Sequence, residues 1–137
     1  MTHEYVIALN GVVEATTARA TAVGWANEFI LAVGTDESVR AISRGDSTFL
    51  DVEGCAITPL PRNLAAAQAF VRERAVESAD VGRLLHEIGL LEPGATIEMG
   101  APADLAFWRP DGLVATVRGG HFTDGDAHRG PFEPPAG

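Results

Sequence analysis

His121, Asp124, Asp126 and His128 form the densest group of metal-capable side chains in the sequence. Two imidazoles and two carboxylates supply the nitrogen and oxygen donors that zinc or another divalent ion takes. A working site also needs packed neighbours that hold its donors still. Gly125, Gly130 and Pro131 surround these four residues instead, which favours a polar tail. The expectation is therefore no bound metal or other cofactor, with zinc at this cluster as the alternative. Asp104 lies in Ala103-Asp104-Leu105, a turn setting in which a carboxylate satisfies backbone N–H groups. Cys55 sits in an apolar run and reads as an inert buried thiol; as the only cysteine, it excludes an internal disulfide. His86 falls in a helical pattern with no second histidine at helical spacing. Ser38, Ser43, Ser47 and Ser78 lack the surroundings of a nucleophile elbow. Gly119-Gly120 is no phosphate loop, because such a loop needs a following lysine and the chain has none. Trp25, Phe29, Phe107 and Trp108 read as core or interface residues.

The elements that must position these residues are short. Residues 5–9 are an apolar run that fits a buried strand. Asn10-Gly11 is a hairpin signal, since both residues tolerate positive φ. Residues 12–23 are rich in threonine and small side chains and read as exposed strand. Residues 24–28 read as a turn with Asn27-Glu28 at its tip, and 29–33 as the clearest strand. A short helix is predicted over 37–43, capped by Thr35 or Asp36, with Val39 and Ile42 on one face. Residues 47–52 form the next strand and Glu53-Gly54 the next turn.

Cys55-Ala56-Ile57 is a short strand ending at Thr58-Pro59. Helical spacing then governs 63–75 through Leu64, Ala67, Phe70 and Val71. It governs 79–88 through Val81, Leu84, Leu85 and Ile88, with Ser78 or Asp80 as cap and Gly89 as stop. Strands return at 103–108 and 113–117. The pattern predicts a mainly β protein, a β-sandwich or distorted barrel, with two helices at about 63–88 covering one end or face. Residues 1–122 form one domain, and 123–137 are a polar, proline- and glycine-rich tail expected to run over the surface.

At 137 residues and 46% hydrophobic, the chain is long and apolar enough to build a core. Its net charge of −9 argues against nucleic acid. Arg62, Arg72, Arg74 and Arg83 alternate with acidic residues and suit a solvated helix face. No apolar run approaches the ~20 residues that cross a bilayer, and the first residues lack a signal-peptide layout. A cytoplasmic protein without membrane contact is expected.

Several fragments together resemble the amidohydrolase superfamily, metal-dependent hydrolases such as imidazolonepropionase and dihydroorotase. They are Leu9-Asn10-Gly11-Val12-Val13, then 27–34 and 51–59, and near the C-terminus 90–106 and Val117-Arg118-Gly119-Gly120. The resemblance implies a composite β-domain in which both terminal segments meet and a catalytic TIM barrel is inserted between them. It also implies structural roles for Pro59, Gly100 and Asp104. The family's His-x-His metal pair follows the proline; here Ala65 and Ala67 occupy those places and offer no donor. A barrel takes roughly 250 residues, whereas only residues 60–92 lie in the gap.

The sequence thus reads as a composite domain with its barrel deleted. That reading leads to a non-catalytic protein with a binding, accessory or oligomerisation role. The deletion is expected to uncover an apolar face, met by a homodimer or another chain, and a small-molecule cleft is possible between sheet and helices. The alternative is a metal-dependent hydrolase of non-peptide carbon–nitrogen bonds, acting through the tail cluster or with a partner chain.

Overall fold

The computed structural model describes residues 5–14, 20–42, 47–92, 95–126 and 128–135. Two sheets face one another. The first holds β1 (Tyr5–Leu9), β3 (Ala22–Ala26), β4 (Phe29–Gly34) and β5 (Thr48–Asp51) in the order β4-β3-β1-β5. The second holds β2 (Val12–Val13), β6 (Ala56–Pro59), β7 (Leu105–Arg109), β8 (Gly112–Arg118) and β9 (His121–Phe122), each paired with the next. Each sheet contains one parallel pair, β1 with β5 and β2 with β6. The sandwich expectation holds.

The main core lies between the sheets, built from Val6, Val23, Trp25 and Leu50 on one side and Ile57, Leu105, Phe107 and Val117 on the other. Trp25, Phe107, Phe122 and Phe132 form a continuous aromatic set, with adjacent ring centroids 5.2–6.5 Å apart. Both outer faces are covered. Val39 of α1 (Asp36–Arg40) packs with Ile7, Leu9 and Ala22 on the back of the first sheet. Ala67 and Val71 of α2 (Leu64–Arg74), with Val81 and Leu85 of α3 (Ser78–Glu87), pack on Ala56, Ala106 and Trp108 at the back of the second. Sheets buried on both faces carry continuous apolar runs instead of alternation, which is why β1 and β7 read as solid hydrophobic stretches. Trp108 donates its indole N–H to the Thr58 hydroxyl at 2.9 Å, so this polar pair is satisfied within the buried face.

Several local readings need correction. Asn10-Gly11 makes no hairpin. β1 pairs antiparallel with β3, and Asn10, at φ 61°, carries the chain across to β2 in the other sheet. The Glu53-Gly54 turn makes the matching crossing from β5 to β6, so the two parallel pairs form one ribbon bent around a corner. Gly24 lies inside β3; the turn is confined to Asn27 and Glu28. Residues 15–19 of the threonine-rich stretch lie outside the described residues. Leu31 and Val114 have no opposite partner and act as β-bulges. Each bulge lets side chains three apart share a face: Ile30 and Val33 both reach the main core. Thr35 does cap α1 and Asn63 caps α2, but α3 begins after Glu77 without a side-chain cap. Ile42 is exposed and does not share the buried position of Val39.

Most described residues of the tail lie at the surface, with one side chain as the exception. Phe132 is only 6% exposed, inside the aromatic set. Asp51 donates its N–H to the Glu133 carbonyl at 2.9 Å, so the tail runs along the free side of β5. Nor does the helical segment leave an open apolar sheet face, because α2 and α3 cover it.

The β8–β9 turn locks the sheets together. Trp25 Nε1 donates to the Gly120 carbonyl at 2.9 Å, while Gly120 donates its own N–H to the Ala103 carbonyl at 3.1 Å. A Cβ on Gly120 would sit 1.6 Å from the Asn27 carbonyl oxygen, and φ there is +84°. Gly119 also has positive φ, but a Cβ there meets nothing. Gly120→Ala is expected to lower unfolding free energy by about 2–5 kcal/mol and Gly119→Ala by about 1–2 kcal/mol. Urea unfolding of both variants checks the ranking; equal losses would show that the close approach to Asn27 does not matter.

Candidate functional site

The residues singled out at Pro59, Gly100 and Asp104 come to one end of the sandwich. β6 ends at Pro59, opposite Leu105 in the antiparallel β6–β7 pair. Gly100, at φ +89°, donates its N–H to the Ile30 carbonyl, and Ile30 donates in return to Ala101. Residues 100–102 therefore line the outer edge of β4. Asp104 accepts the Gly119 N–H at 2.8 Å and so holds the β8–β9 turn.

Between these groups lies a cleft of about 340 Å³, within the size of small-molecule sites. Ile30, Ile97 and Leu105 give it a buried apolar floor, with Pro59, Leu60 and Ala101 half-buried around them. Its charged lining is acidic throughout: Glu92, Glu98 and Asp104, with Thr96 beside them. Among the described residues no arginine or histidine lines it. A cleft walled by one sign of charge favours ligands of the other. The site lies between the two sheets at their end, not between sheet and helices as the sequence led us to expect. The sequence placed Pro59 and Asp104 here only as structural residues and missed Glu92 and Glu98. Those two sit in irregular chain, where no periodic pattern shows which way a side chain points.

The other candidate residues do not join this cleft. Ala65 is exposed near the start of α2, and Ala67 is fully buried against the second sheet. Neither has a donor atom, so the metal that the family resemblance implies does not fit these positions. The His121 and His128 rings approach to 5.9 Å between centroids. Asp126 turns away to its own backbone, accepting N–H groups from His128 at 2.8 Å and Arg129 at 3.1 Å. These bonds, that to His128 first, hold its carboxyl below the usual carboxylate range. Among the described residues no three His, Cys, Asp or Glu side chains gather to hold a metal ion. Phe29 is 50% exposed at the β4 edge, unlike the buried Trp25, Phe107 and Trp108. His86 is half-buried on α3. Arg83 lies on the exposed face of α3, bridging Asp80 and Glu87 at 3.1 and 3.2 Å.

Against known proteins, no protein-family model matches the chain, and no curated protein or solved structure matches it either. Among the described residues no helix is long and apolar enough to cross a membrane.

Cys55 is buried and free. Burial pushes its thiol above the ordinary value of 9.0, and Arg109 offsets part of that rise. A folded-state pKa raised above the unfolded one stabilises the fold fully below 9.0. That stabilisation is lost as pH climbs from there through the folded value. Native protein should resist thiol-reactive reagents, and its stability should fall above that pH more steeply than that of Cys55→Ala. Equal slopes in denaturant titrations across this range would remove Cys55 as the cause.

Proposed function

We propose that this chain is a non-catalytic composite β-domain of the amidohydrolase kind with a binding or accessory role, using the acidic cleft at the end of the sandwich. The reading is carried by the make-up of the second sheet. β2 and β6 come from before the helical segment and β7, β8 and β9 from after it, and β6 pairs directly with β7. That is the arrangement the resemblance implies for two terminal segments flanking an insert. Here the insert is α2 and α3, which pack as a cover and present Ala65 and Ala67 where the family pattern has its metal pair.

The acidic rim and apolar floor suit a small ligand carrying an amine or other cation on a hydrophobic body. Glu98 contributes charge without a place in the folded core, so Glu98→Gln removes binding strength without removing structure. Titration calorimetry with aliphatic and aromatic amines should show saturable binding, weakened about 3- to 10-fold in Glu98→Gln. Failure of every cationic probe would sink the cleft as a binding site.

The competing reading is metal-dependent hydrolysis of carbon–nitrogen bonds, favoured only by the approach of His121 to His128. It requires a bound ion. Elemental analysis of purified protein should find no stoichiometric zinc, iron or manganese, and thermal stability should not change with a chelator. A full equivalent of zinc lost together with stability in His121→Ala would reverse the assignment. The accessory role includes association with a second copy or another chain. With the sheet backs covered, the apolar surface for it lies at the β4 edge, where Phe29 and Met99 are 50% and 75% exposed.

A further inference from the structure

On the opposite edge of the first sheet, beside β5, lies a groove of about 470 Å³ lined by Arg40, Ser47, Thr48, Phe49, Arg129 and the Pro134-Pro135 pair. Its electrostatics oppose those of the chain. In a protein of net charge −9, the groove holds two guanidinium groups and, among the described residues, no carboxylate. The Arg40 guanidinium sits 5.5 Å over the Phe49 ring, a contact that orients the charge without neutralising it. Arg129 belongs to a turn that Asp126 fixes by accepting the Arg129 backbone N–H. Among the described residues neither guanidinium makes a close ion pair; those pairs involve Arg83 and Arg109, and the Arg129 charge acts from a longer range on the Asp126 carboxyl. Guanidinium forks match carboxylate and phosphate oxygens in a bidentate way. Thr48 adds a hydroxyl to the lining, and Phe49 and the two prolines add flat apolar walls.

We infer that this groove is a second binding site, independent of the acidic cleft, for a small anion. A carboxylate or phosphate group sits between Arg40 and Arg129, carried on a flat apolar ring that packs against Phe49 and Pro134. The full chain titrated with benzoate, phenyl phosphate and benzamidine, followed by calorimetry or NMR, tests this. Benzoate or phenyl phosphate should saturate one site and lose about tenfold or more in affinity in Arg40→Gln and in Arg129→Gln. Affinity should fall with added salt and stay unchanged in Glu98→Gln, which separates this site from the acidic cleft. Tighter phenyl phosphate identifies a phosphate ligand and tighter benzoate a carboxylate. Circular dichroism confirms that the variants fold. Absence of saturation, displacement of bound benzoate by benzamidine, or full retention of binding in the R40Q/R129Q double variant would each overturn the inference.

Discussion

The pairing of β6 with β7 is the contact on which the rest of the molecule depends. It joins residues 56–59 to 105–108 and turns two separate chain segments into one sheet. Alternation along this pair sends Ile57, Leu105 and Phe107 into the main core and Ala56, Ala106 and Trp108 toward the helices. Both faces therefore close on the same few residues. The pairing must close the loop formed by residues 60–104. Loop-closure entropy grows only logarithmically, so doubling or halving such an insert changes the cost by about 0.6 kcal/mol. Burying one large apolar side chain contributes about 1.5–3 kcal/mol. The sheet is thus nearly indifferent to the length of what lies between β6 and β7, provided that the insert can cover Trp108 and its neighbours. A helical pair with Val71, Val81 and Leu85 inward meets that requirement.

This also bears on association. An apolar sheet face left by a missing barrel can be covered by the helices between the strands or by a second copy, and here the helices cover it. α3 has a clear apolar stripe through Val81 and Leu85, and α2 turns Leu64, Ala67, Phe70 and Val71 to the same cluster. The bare backbone of Gly112 lets α2 lie close to β8, where the stem of Arg72 rests over it. Gly82 likewise leaves room for Glu14 against α3. What the helices cover, a second copy does not need to cover.

Much of the fold was legible because the short apolar runs are strands and the helical spacing after Pro59 is unambiguous. The failures arise where tertiary context decides. Local signals do not say which sheet a strand will join. Positive φ at Asn10 suits a hairpin and a corner equally, and only the pairing of β1 with β3 decides between them. Gly24 looked like a turn because glycine weakens strands, yet its bare backbone lies close to Val39 of α1. Phe132 was hidden among prolines and glycines, where a lone aromatic carries no periodicity. The acidic cleft was less legible still, since Glu92 and Glu98 lie in irregular chain without periodicity and reach Ile30 of the other sheet only through the fold. The tail histidines and aspartates showed the reverse: closeness in sequence did not bring their donors onto one point.

The tail's position follows from what β5 lacks. As the outer strand of its sheet, β5 leaves backbone groups open to pairing with other chains, a hazard proteins manage at sheet edges. Glu133 takes up the Asp51 N–H, and Pro134-Pro135 follow immediately. Proline has no N–H to extend the ladder, so the tail covers the edge without creating a new one. Phe132 holds it there by packing against both Phe107 and Phe122. The same placement sets Pro134 and Pro135 beside Phe49 and Arg40 as one wall of the basic groove. Protecting the edge and shaping the groove are therefore one act of packing: a tail that left β5 would expose the strand and dismantle the groove together.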